Sequence, residues 1–144
     1  MHPEVAFNYL IRQLESDDTD DITLTIYYGG LSHLVHLPTS IERLTEEIYE
    51  SRIVITNNEL KEHLDLLRNL NADVLVPVEH QSRTHARIHY AFTQNNRVIF
   101  DVTMWGFINN NIFINGHEFK WNNIFIDIVL PFLPEEFSRI RTSD

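Results

Sequence analysis

HARIHYAFTQNNRVIFDVTMW, residues 85–105, alternates apolar and polar side chains on both sides of a pair of asparagines. Apolar residues fall at Ile88, Tyr90 and Phe92 before the pair and at Val98, Phe100, Val102 and Met104 after it. This is the period-two pattern of two half-buried strands joined by a short loop. A two-residue turn at Asn95-Asn96 would set Ala91 opposite Phe100 and His89 opposite Val102, mixing the two faces. A three-residue loop over 94–96 pairs Phe92 with Val98, Tyr90 with Phe100 and Ile88 with Val102, and is the expected geometry.

Working outward from this hairpin, the rest of the C-terminal half is also mostly β. The run 111–114, Asn-Ile-Phe-Ile, is followed by Asn115-Gly116 and then His117-Glu118-Phe119-Lys120, and Asn-Gly is a strong two-residue hairpin signal. Residues 122–130 are apolar nearly all round and are expected as a buried helix, closed by Pro131 and Pro134. Pro134 is expected to open a last short helix with Phe137 and Ile140.

Toward the N-terminus, residues 22–28, Ile-Thr-Leu-Thr-Ile-Tyr-Tyr, form a strictly alternating strand that ends at Gly29-Gly30. Pro3 suits the first turn of a helix over 3–15 carrying Val5, Phe7, Tyr9, Leu10 and Leu14. Thr39 or Ser40 can cap a helix built on Ile41, Leu44, Ile48 and Tyr49. A short buried strand is expected at 53–55, a helix on Leu60, Leu64 and Leu67 after it, and an edge or terminating strand at 74–78, where Pro77 cannot donate a ladder hydrogen bond. The expected fold class is therefore α+β: a mainly antiparallel sheet, with hairpins in the C-terminal half, packed against three to five helices.

At 144 residues and 43% hydrophobic content, the chain fits one domain, able to bury roughly 70% of its unfolded surface. No cysteine is present, which excludes disulfides, thiol catalysis and thiolate metal sites and fits a reducing compartment. The first residues lack the basic-then-apolar order of a signal peptide, and polar residues interrupt every apolar run before bilayer length. A cytoplasmic protein with no membrane partner is expected.

Charge is unevenly distributed. Residues 1–79 hold fifteen Asp and Glu against five Lys and Arg, a balance of −10, whereas residues 80–144 hold six of each. Such a surface repels phosphate backbones, so no nucleic acid is expected as a partner, and attracts a basic protein instead. The candidate contacts are Asp17, Asp18, Asp20 and Asp21 in an acidic loop and Glu42, Glu46, Glu47 and Glu50 on the helix after Thr39.

Two catalytic constellations can be weighed. His80, His85 and His89 cluster in sequence, but on a strand His85 and His89 stand ~13 Å apart at about 3.3 Å per residue and cannot chelate one ion. Asp101 followed by Glu118-Phe119-Lys120 has the look of the Asp…Glu-x-Lys set of metal-dependent nucleases, in which two carboxylates hold a divalent ion and the lysine stabilises charge. Gly-rich phosphate loops, nucleophile elbows and His-Glu-x-x-His are absent, so no cofactor is expected.

The runs Phe100-Asp101-Val102-Thr103-Met104-Trp105-Gly106, Ile112-Phe113-Ile114-Asn115-Gly116 and Phe132-Leu133-Pro134-Glu135-Glu136, in a small acidic α+β chain, resemble immunity proteins of bacterial toxin systems, particularly those of contact-dependent growth inhibition. That resemblance implies a non-catalytic protein that binds and neutralises a cognate toxin domain, often a basic nuclease. The alternatives are a metal-dependent nuclease using Asp101, Glu118 and Lys120, and a dimeric adaptor or secretion chaperone with an exposed apolar groove.

Overall fold

The structure is a computed structural model, and it describes residues 2–15, 22–28, 51–62, 72–78, 88–104, 111–135 and 137. Its framework is one antiparallel sheet of six strands: β1 (Ile22–Tyr28), β2 (Ser51–Thr56), β3 (Ile88–Gln94), β4 (Arg97–Met104), β5 (Ile112–Ile114) and β6 (His117–Phe119). Their spatial order is β2-β1-β3-β4-β5-β6. The long connections fall between β1 and β2 and between β2 and β3, so β1 comes to lie between β2 and β3.

Alternation sorts each strand into a core side and an open side. Leu24 and Ile26 of β1, on the same face as Ile22, stand in register with Phe92 and Tyr90 of β3, which continue to Phe100 and Val102 of β4 and then Ile114 of β5. All of these are buried. Helix α1 (Pro3–Glu15) lays Ala6, Phe7 and Leu10 against them, with the Phe7 and Phe100 rings 5.6 Å apart. Spacing of one and three residues places these side chains on a single stripe. Val5, counted among the apolar positions of this helix, is instead 54% exposed, because Ala6 takes the inward position. Tyr9, at the margin of the stripe, donates its hydroxyl to Gln94 Oε1 at 2.8 Å.

Helix α2 (Asn57–Glu62) adds Leu60 to the core. Residues 122–130 do not form the single buried helix expected. Their helix, α3, is one turn (Ile124–Asp127), and a 3-10 turn, Leu130–Phe132, follows. From Val129 the N–H groups donate three residues back, Val129 to Ile126 O and Phe132 to Val129 O, so the chain tightens out of α geometry before Pro131 is reached. Apolarity on all sides is satisfied differently: Phe125, Ile126, Ile128, Val129 and Phe137 are all buried. Phe137 follows a tight turn in which its N–H donates to Pro134 O, and it meets the Tyr28 ring edge-on at 5.2 Å. Among the described residues only α1 and α2 exceed one helical turn, fewer than the three to five helices expected. The helix expected around Ile41 to Tyr49 lies outside the described residues.

The central hairpin departs from the expected loop. Asn95 and Asn96, at φ 51° and 64°, make a two-residue turn with Gln94 opposite Arg97 and Thr93 opposite Val98. The register then shifts between Phe92 and Thr93, so that Phe92 faces Phe100, Tyr90 faces Val102 and Ile88 faces Met104. One extra residue on β4 at Ile99 realigns the apolar faces that a regular two-residue hairpin would have mismatched. The second hairpin follows expectation: Asn115 and Gly116 turn with φ 47° and 82°, and Ile114 pairs with His117, Phe113 with Glu118 and Ile112 with Phe119. Residues 76–78 close the edge beyond β6, with Pro77 opposite Phe119.

Candidate functional site

The described helices, with residues 122–135 and Phe137, pack on the core side of the sheet, so functional side chains are sought on the other. Register places one residue from every strand in a single cross-sheet row: Arg52, Tyr27, His89, Thr103, Phe113 and Glu118. The row runs from exposed to buried. Arg52 is exposed, Tyr27 half-buried, and Thr103 and Glu118 are 0% and 3% exposed.

Among the described residues, hydrogen bonds or ring contacts engage five of the six, all but Phe113. Arg52 Nε donates to the Tyr27 hydroxyl at 3.0 Å while its guanidinium carbon sits 5.7 Å from the centre of that ring. The Tyr27 and His89 rings lie 6.4 Å apart. His89 Nδ1 and Thr103 Oγ1 share a buried hydrogen bond of 2.8 Å. Asn111 Nδ2 donates to Glu118 Oε2 at 3.5 Å. Beside the row, Thr23, Thr25, Val54, Ala91, Thr93 and Val98 line a shallow open depression of about 500 Å3. A rigid strand framework carrying Tyr and Arg among small polar residues has the composition of a protein-binding surface.

The nuclease-like set does not assemble. Asp101 and Glu118 share the open side, but two strand spacings and a two-residue offset hold their Cα atoms ~12 Å apart. Asp101 is engaged at the second turn, where its Oδ1 accepts from Asn115 N at 3.2 Å and its own N–H donates to Asn115 Oδ1 at 2.8 Å. Lys120 lies past the end of β6 and is exposed. His89 lies on the face opposite Ile88 and Tyr90, as alternation implied, but is buried there, whereas His80 and His85 lie outside the described residues. A smaller cavity, about 220 Å3, opens at the β6 edge among His2, Glu4, Leu75, Pro77 and His117. The His2 and His117 rings are 5.8 Å apart there. Among the described residues no group of three or more His, Cys, Asp or Glu is placed to hold a metal ion.

No family model matches the chain, and neither a curated protein nor a solved structure matches it.

The acidic candidates Asp17, Asp18, Asp20, Asp21, Glu42, Glu46, Glu47 and Glu50 all lie outside the described residues. Sequence reasoning passed over Arg52 and Tyr27. Tyr27 lies one residue off the Ile22, Leu24 and Ile26 face of its strand, and Arg52 directly precedes an apolar run, but only the antiparallel pairing of β1 with β2 brings them together. Among the described residues the exposed large apolar side chains, Val5, Val54, Val76 and Val98, belong to four separate segments, and Val54 and Val98 are three strands apart. These four do not form the continuous groove that an adaptor would offer. Among the described residues no helix is long and apolar enough to cross a membrane.

Proposed function

We propose that the chain is a cytoplasmic immunity protein that binds a cognate bacterial toxin domain, a basic nuclease, and neutralises it without catalysis. The observation that carries this reading is the charge asymmetry: the entire net charge of −10 belongs to residues 1–79. An acidic surface occupies a nuclease's phosphate-binding groove by mimicking the charge of its substrate, and it accelerates encounter as well as selecting the partner. In this reading Asp17, Asp18, Asp20, Asp21, Glu42, Glu46, Glu47 and Glu50 supply the contacts. Support also comes from the resemblance in residues 100–106, 112–116 and 132–136, and from the separate hydrogen bonds that engage Asp101 and Glu118.

The test is co-purification of the tagged chain from its native host, with mass spectrometry of what accompanies it. A stoichiometric basic toxin fragment, released by salt, is the expected result. A chain that emerges alone and cleaves nucleic acid when Mg2+ is added would overturn the proposal.

A further inference from the structure

The two edges of the sheet are built differently. Beyond β6, residues 76–78 run alongside: Val78 N donates to Glu118 O at 3.3 Å and Lys120 N to Val76 O at 2.8 Å. Pro77 sits opposite Phe119 at the centre of that segment and has no N–H to offer outward. That edge is terminated. At the other end β2, Ser-Arg-Ile-Val-Ile-Thr, has no strand beyond it among the described residues. It pairs with β1 without interruption over all six residues. It contains no Pro, Gly, Lys, Asp or Glu, and no bulge bends it away. Proline, lysine, bulges and inward-pointing charges are the devices by which soluble proteins keep a sheet edge from pairing with another chain. β2 carries one charge, Arg52, which is drawn back over Tyr27 of the neighbouring strand, and lacks the others; its Val54 is 45% exposed.

We propose that β2 is a homodimer interface, pairing antiparallel with β2 of a second copy about a two-fold axis through Val54. A two-fold axis perpendicular to a sheet reverses the strand and keeps its faces, so side chains of the same face meet. Centred on Val54, the pairing sets Val54 against its own copy on the open side, Ile53 against Ile55 on the core side, and Arg52 against Thr56. Apolar residues meet apolar ones, and the strand's one charge, Arg52, meets a hydroxyl instead of its like. Each acidic residue of the chain lies outside β2, so the contact itself carries no carboxylate. The two six-stranded sheets become one, and the Arg52–Tyr27 pairs of the two copies flank the axis. The inference is independent of the toxin-binding reading.

A chain with no cysteine allows a single-thiol test. Val54→Cys places two thiols directly opposite each other across the axis, within the Cβ separation of about 3.5–4.5 Å that a disulfide requires after small adjustment. Val98→Cys is the control: it lies on the same side of the sheet, three strands away, and is more exposed at 57%. The expected results are a dimer mass by light scattering for the unmodified protein and rapid, near-complete cross-linking of Val54→Cys under mild oxidation. Val98→Cys should remain at least tenfold slower. Val54→Lys should keep the circular dichroism of the fold and return the mass of a monomer, since two ammonium groups would face each other. Monomer mass of the unmodified protein at high concentration overturns the proposal. So does a dimer whose Val54→Cys cross-links no faster than Val98→Cys, since its contact would lie elsewhere.

Discussion

Tyr90 is the buried polar side chain whose removal is expected to cost most. It lies between β1 and β4 at the centre of the sheet, fully buried, and its hydroxyl donates to Phe125 O at 2.6 Å. The bond ties the C-terminal segment to the sheet from inside the core. Tyr90→Phe keeps the ring and removes the donor, leaving a buried carbonyl without that partner, and should lower stability by about 1–3 kcal/mol in urea unfolding. Burial also raises the Tyr90 hydroxyl well above the ordinary value of 10.0 by penalising its charged form. A group whose folded value is raised contributes stability that is complete below its unfolded value and is lost as pH rises toward and through the folded one. Unmodified protein should therefore lose stability above pH 10, and Tyr90→Phe should flatten that slope when midpoints are compared between pH 9 and pH 11. An unchanged slope would show that Tyr90 does not govern the alkaline limit.

At the scale of elements, two hairpins with asparagine turns behave differently. Asn115-Gly116 pairs in direct register because residues 112–114 and 117–119 alternate in step. Asn95-Asn96 joins strands that are out of step by one residue, and Ile99 absorbs the difference as a bulge. Asn115 then secures that region: besides its bonds with Asp101, its Nδ2 donates to Ile99 O at 3.3 Å. Asn115→Ala removes the side-chain bonds from a left-handed position and should cost about 2 kcal/mol in thermal or urea unfolding. Asn96→Ala should cost about 1 kcal/mol for its left-handed backbone, whereas Asn96→Gly should be close to neutral. Loop length was misread from residues 85–105 because apolar phase alone cannot separate a three-residue loop from a two-residue turn followed by a bulge. Both bring like faces together, and the pairs differ by two residues along β4.

For the molecule as a whole, the net charge of −10 sets opposite expectations for its two proposed contacts. Association with a basic toxin should weaken with salt, because screening removes attraction. Replacing Glu42, Glu46, Glu47 and Glu50 together with Gln should lower its association rate about tenfold or more at low ionic strength, with a smaller change in dissociation. Pairing of two copies through β2 joins like-charged molecules, so raising salt from about 20 mM to about 200 mM should tighten the dimer in sedimentation experiments. Helix α1, strand β1 and the β5–β6 hairpin were legible in the sequence, since periodicity, Pro3 and Asn-Gly are local signals that need no distant partner. So was the placement of His89 on the face opposite Ile88 and Tyr90, which follows from alternation, although its burial there does not. The strand order, the bulge at Ile99, the brevity of α3 and the row from Arg52 to Glu118 were decided only in the tertiary structure. Each depends on which segment pairs with which and in what register, and those choices are fixed by contacts between residues far apart in the chain.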